Sequence, residues 1–259
     1  MENNSTCPPS APSPIYWLKE RHAFPLQPTI LALCGIPIVI LLAVAFLNIW
    51  LLGPSGVAPS PSSPPPVRFL LLSQLAIYVP LIAYLLAVVP PLAGCSIFEL
   101  DKLGIRKPTK RDILAGLTGA LTMWFGVAVA SSVLTAVTHD HHTEAAVEVL
   151  RNLRTPEETL AFTAIAVLFA PMVEEFSFRI FLFNAISAHT SVPVGAIISG
   201  ILFGIVHGPG ITVIIPLALG GIILAAIYAK TGCYWSNVIT HALFNAAGVV
   251  AVLVFHVTD

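Results

Sequence analysis

The chain has 259 residues, 56% of them hydrophobic, with a mean hydropathy of +0.89, and only 10% are Asp, Glu, Lys or Arg, where a soluble domain carries about 25%. An ordinary water-soluble globule is excluded. Twelve Lys plus Arg against thirteen Asp plus Glu leave a net charge of -1, so there is no basic excess to neutralise phosphates, and nucleic acid is not a partner.

Taken in chain order, residues 1–28 form a polar, Pro- and Ser-containing N-terminal tail without the pattern of a cleavable signal peptide, so the first apolar run is expected to serve as its own insertion signal. Apolar runs follow at 29–52, 68–92, 112–138, 160–188, 193–207, 210–229 and 233–256. Crossing a bilayer as a helix takes about 20 residues, so the expected fold class is all-α, a polytopic transmembrane helical bundle of about 7–8 spans. The fourth run is interrupted by Pro171, which kinks one helix or separates two shorter ones. The fifth is short for a full crossing.

Between the first two runs, residues 53–67 contain six prolines, four serines and no charge, the composition of an extended linker. The expected organisation is therefore a tail (1–28), N-terminal transmembrane helices containing this linker (29–159), and a C-terminal transmembrane region that carries the polar motifs (160–256). Lys19 and Arg21 precede the first span, and Lys102, Arg106, Lys107, Lys110 and Arg111 crowd the loop after the second. Both segments belong on the cytoplasmic side by the positive-inside rule. The loop His139–Thr159, with five acids against two arginines, then falls on the opposite face. Cys7, Cys34, Cys95 and Cys233 show no paired spacing, so neither a disulfide framework nor a zinc ribbon is indicated. The run His139-Asp140-His141-His142 sits in a short polar loop and reads as a solvated turn.

Three charged residues lie well inside a span: Glu174, Glu175 and Arg179. An intramembrane ionisable group costs a few kcal/mol on insertion scales and marks function by default. Glu175 and Arg179 are one turn apart and about 40° from each other around a helix, the favourable order for an i, i+4 pair. Glu174 points about 100° away from Glu175. This suggests a division of labour, with Glu175 and Arg179 as a buried supporting pair and Glu174 facing a cavity as a general base. Later spans add Phe203 with His207, and His241 with Asn245, each pair one helical turn apart. A carboxylate, two imidazoles and an amide are the parts needed to activate a water and stabilise an oxyanion. The same groups could instead hold helices together or relay protons.

The three segments Glu174-Glu175-Phe-Ser-Phe-Arg179, Phe203-Gly-Ile-Val-His207 and His241-Ala-Leu-Phe-Asn245 resemble the ordered motifs EExxxR, FxxxH and HxxxN of the CAAX prenyl protease type II and bacteriocin-processing (CPBP, or Abi) intramembrane endopeptidases. The resemblance covers roughly residues 160–250. It implies that Glu174 and His207 activate the hydrolytic water, that His241 and Asn245 stabilise the oxyanion, and that Glu175, Arg179 and Phe203 support the site. Ile180 stands where family members often have Gly.

The implied partners are a membrane-associated protein or peptide substrate and the lipid bilayer; the modest length, the lack of a targeting signal and the absence of an added soluble domain favour a multi-pass position in a bacterial cytoplasmic membrane. No cofactor is expected. If a metal is bound, Glu174, His207 and His241 would form a His-His-Glu zinc set with an open water position; the metal-free chemistry is the favoured one. Competing classes are a proton-coupled transporter and a non-catalytic membrane scaffold or immunity protein. The absence of an inverted repeat argues against the first, and the intact motifs against the second.

Overall fold

The structure, a computed structural model, describes residues 23–52 and 67–255. The Pro-rich linker, nearly all of the N-terminal tail with Lys19 and Arg21, and the C-terminal residues from His256 lie outside the described residues. The described residues are all-α. Eight helices follow in order: α1 (Leu26–Leu52), α2 (Val67–Leu92), α3 (Lys110–Thr138), α4 (Ala145–Arg151), α5 (Pro156–His189), α6 (Val192–His207), α7 (Ile211–Thr231) and α8 (Tyr234–Phe255).

Six of them, α1, α2, α3, α5, α7 and α8, are long and apolar enough to cross a membrane. The apolar helix α6 has 16 residues, about 24 Å at 1.5 Å per residue, short of a 30 Å hydrocarbon core. Its outer faces show what solvent the bundle is built for. Phe46 is 69% exposed, and Leu121 and Val137 are 72% exposed, a pattern water would penalise and lipid does not. The chain is a multi-pass membrane protein.

Local sequence explains where the helices start and stop. Thr109 caps α3 through a capping box with Asp112, and Thr155 caps α5 the same way with Glu158, followed by Pro156 in the first turn. These are the devices that satisfy orphan N–H groups at a helix start. Arg106 ties the basic loop down by pairing with Asp112 at 2.8 Å and donating to the Thr231 carbonyl at the C-terminus of α7. Gly232 ends α7 in the left-handed conformation at φ 56°, the usual reason for glycine there.

Helix α5 is one helical stretch of 34 residues rather than two, and Pro171 is accommodated by a change of pitch. Ile165–Phe169 and Phe176–Phe183 are π-helical, flanking the α-helical turns Ala170–Glu175. Proline lacks the N–H that an α-helix would use, and the wider π ladder reaches Pro171 from its N-terminal side. The Ala170 N–H bonds Ile165 O. The two carboxylates thus sit on a short α segment between two widened ones.

The motif helices pack closely because of small residues. A Cβ on Gly204 would overlap the Ile214 carbonyl, and one on Gly221 would lie 2.8 Å from Gly200 Cα, so α6 and α7 touch backbone to backbone through a Gly-xxx-Gly face. Helix α3 packs on α7 and α8, α1 on α2, and α5 runs against α2, α6 and α8. A cavity is left between α1, α2, α4, α5, α6 and α8, with Met123 of α3 and Leu217 of α7 also reaching it.

Candidate active site

The cavity has a volume of about 640 Å³, within the range of sites that take small molecules or peptide segments. Its walls are mainly apolar, with Leu33 and Ile36 from α1, Leu81 from α2, Phe162 from α5 and Phe244 from α8. Its polar groups include Tyr78, Glu144, Glu174, His207, His241 and Asn245. The motif residues of α5, α6 and α8 therefore meet in one place, although up to 71 positions separate them in the chain.

Glu174 and Glu175 face different surroundings, as adjacent helical residues must. Glu175 is fully buried. Its Oε2 lies 3.1 Å from Arg179 Nε and accepts from Asn237 Nδ2 at 3.1 Å, and its Oε1 accepts from His241 Nδ1 at 2.8 Å. Arg179, 1% exposed, donates from Nη2 to the Gly221 carbonyl at 3.1 Å and lies 4.8 Å from the centroid of the Phe203 ring. A buried charge persists only when paired and hydrogen-bonded, and here an ion pair, a carbonyl and a ring face share the task.

The Glu174 side chain is 17% exposed and opens to the cavity. Tyr78, from the middle of α2, donates its hydroxyl to Glu174 Oε1 at 2.8 Å. The other oxygen, Oε2, faces two imidazoles: His207 Nε2 at 3.6 Å and His241 Nε2 at 3.8 Å. Both rings are held by their other nitrogen. His207 Nδ1 donates to the Phe203 carbonyl one turn earlier at 2.6 Å, and His241 Nδ1 donates to Glu175. A carbonyl and a carboxylate can only accept, so each Nδ1 carries the proton and each Nε2 is presented to Glu174. Phe203 stacks against both rings, at centroid distances of 4.3 Å and 5.6 Å.

Asn245 lines the cavity and spends one amide N–H on the Ala166 carbonyl at 2.7 Å, within the π-helical segment where a carbonyl is freed from the regular ladder. Its second N–H is available. As for a metal, no group of three His, Cys, Asp or Glu side chains among the described residues is placed to hold one. The histidine loop 139–142 is pinned rather than gathered into a cluster: Asp140 pairs with His142 and accepts from Thr212 Oγ1 at 3.2 Å.

Two cavity-lining groups and one buried support carry no motif. Tyr78 lies in a span where an isolated tyrosine has no spacing relation to anything polar. Glu144 lies in a loop among other acids. Asn237 was detectable in principle, since it stands one helical turn before His241 on the same face.

The fold and the site together define a class, the polytopic helical membrane proteins that gather Glu, His and Asn side chains around one intramembrane cavity. Residues 156–247 match the model of the family described as type II CAAX prenyl endopeptidase Rce1-like. The chain thus carries a domain of that CPBP family over about a third of its length, and the family implies a CAAX-type intramembrane peptidase acting on a protein or peptide. No curated protein and no solved structure matches the chain.

Proposed function

We propose that the protein is an intramembrane endopeptidase that hydrolyses a peptide bond of a membrane-associated protein or peptide, with Glu174 as general base. The observation that carries this reading is the placement of Glu174: one carboxylate oxygen is fixed by Tyr78, and the other faces His207 Nε2 and His241 Nε2 inside an apolar cavity. Separations of 3.6 and 3.8 Å are too long for direct hydrogen bonds and suit groups that share a water or a substrate oxygen between them.

In this mechanism Glu174 and His207 hold a water. Glu174 Oε2 takes a proton from it as its oxygen bonds the scissile carbonyl carbon, and the carbonyl oxygen becomes an oxyanion. His241 and the second N–H of Asn245 stabilise that charge, in a site with little water to compete. Donation from Nε2 requires a proton on each ring nitrogen, and Glu175 accepts the one on His241 Nδ1. The proton on Glu174 then passes to the leaving nitrogen as the C–N bond breaks. Helices α5, α6 and α8 carry the chemistry, while α1 and α2 supply the opposite wall and Tyr78.

The test is cleavage of a defined peptide library by the purified protein in detergent micelles, read by mass spectrometry. Wild type should generate new termini, and Glu174→Ala and His207→Ala should not, while eluting as folded protein. Undiminished cleavage by Glu174→Ala would overturn the assignment.

A further inference from the structure

The Ala166 carbonyl loses both of the amides that a helix would offer it. In an α ladder its donor is the N–H four residues on, and in a π ladder the N–H five residues on. The first belongs to Ala170, which donates to Ile165 O instead. The second position is Pro171, which has no N–H to give. Asn245 of α8 takes the orphaned acceptor, donating from Nδ2 at 2.7 Å.

That bond joins α5 to α8 at the wall of the cavity, where Ala166 and Asn245 line the same space as Glu174, His207 and His241. It also settles which way the Asn245 amide faces. A backbone carbonyl only accepts, so the atom that meets it is the nitrogen, and Oδ1 is turned away. The terminal torsion of an asparagine is otherwise broad and roughly two-fold. An amide without this anchor would turn its oxygen to the substrate as readily as its N–H, and an oxygen there repels a developing oxyanion. Because the amide is planar, fixing one N–H on a carbonyl fixes the direction of the other.

We infer that Pro171, with the widened turn Ile165–Phe169, is a positioning residue: by leaving Ala166 O without a helical donor, it orients the Asn245 amide for the oxyanion. The inference deepens the peptidase reading and rests on it for its kinetic test, whereas the competition for the Ala166 carbonyl stands apart from any activity.

Pro171→Ala supplies the missing N–H. The Ala166 carbonyl then bonds residue 171 in the π ladder, or Ala170 if the turn tightens to α, and Asn245 has to compete for it. Removing an oxyanion donor outright costs about a hundredfold to a thousandfold in kcat, so a donor kept but no longer held should cost on the order of tenfold, with KM within about twofold. Unfolding in the same micelles should come no earlier than in wild type, since alanine is the better helix former. A merely structural proline would show the reverse, early unfolding with the kcat of the folded fraction intact. Pro171→Val restores the same N–H while filling the proline volume, and it should show the same loss. Undiminished kcat in both folded variants overturns the inference. So does a loss that multiplies in full with that of Asn245→Ala, because two residues acting through one bond are not independent.

Should wild type cleave no peptide, the peptidase reading fails on its own, and unfolding decides the positioning separately. Asn245→Ala strands the Ala166 carbonyl in wild type but not beside an N–H at 171. The shift in unfolding midpoint that it causes should therefore shrink by roughly half or more in the Pro171→Ala background. A shrunken shift supports the competition for the carbonyl, and equal shifts in the two backgrounds overturn it.

Discussion

Replacing Arg179 by methionine and Glu175 by glutamine, singly and together, measures how the buried pair supports the bundle. Arg179→Met leaves a fully buried carboxylate with only His241 and Asn237, and Glu175→Gln leaves a buried guanidinium with the Gly221 carbonyl and the Phe203 and Phe178 faces. Breaking a buried pair by removing one partner costs about 3–5 kcal/mol. Glu175→Gln also weakens the acceptor for His241, adding about 1 kcal/mol. The double variant removes both charges, and methionine fills much of the arginine volume. It should therefore cost less than the two single variants added together, by a coupling of about 2–3 kcal/mol. Unfolding in mixed micelles can be followed with a thiol-reactive fluorophore, because Cys95 and Cys233 are buried while the exposed Cys34 labels before the transition. Single costs that add to within about 0.5 kcal/mol in the double variant would refute the pairing argument.

Tyr78→Phe keeps the ring and removes the hydroxyl that holds Glu174. A hydrogen bond to a charged group contributes about 1.5–3 kcal/mol, so turnover should fall on the order of tenfold to a hundredfold with unfolding unchanged; equal turnover would contradict its positioning role. Gly204→Val should lower the yield of folded protein, since its Cβ meets the Ile214 carbonyl and overpacking costs about 1–3 kcal/mol. Gly248→Ala is the matched control, with nothing within 4 Å of the added Cβ, and size-exclusion profiles distinguish the two. Cysteines placed at Lys107 and Thr143, at opposite ends of the 29-residue helix α3, should react with an impermeant maleimide from opposite faces, Lys107→Cys from the cytoplasmic one. Labelling of both from one side would sink that topology.

What the sequence made legible follows from the physics of each feature. Spans were readable because lipid demands long uninterrupted apolar runs, and α1, α2, α3, α7 and α8 fall where those runs do. The relation of Glu175 to Arg179 was readable because helical spacing alone brings them together, and both remain adjacent although Arg179 lies in a π-helical segment. The π segments themselves were not readable: Pro171 signals an interruption, but whether the helix breaks or widens depends on what packs against it. Motif spacing placed His207 and His241 on their helices but could not show that both Nε2 atoms converge on one carboxylate oxygen, since that depends on how α5, α6 and α8 come together around the cavity. Nor could it show that Glu175 has His241 as a second partner. Tyr78 escaped because an aromatic residue in an apolar span is ordinary, and only the tertiary contact distinguishes it.

The most direct test of the central claim compares protein termini in membranes of cells producing wild type and Glu174→Gln at equal levels. Hydrolysis by Glu174 predicts a set of new N- or C-terminal peptides present with wild type and lost with the variant, which keeps the shape of the site and lacks only the base. Identical termini in the two membranes would contradict it.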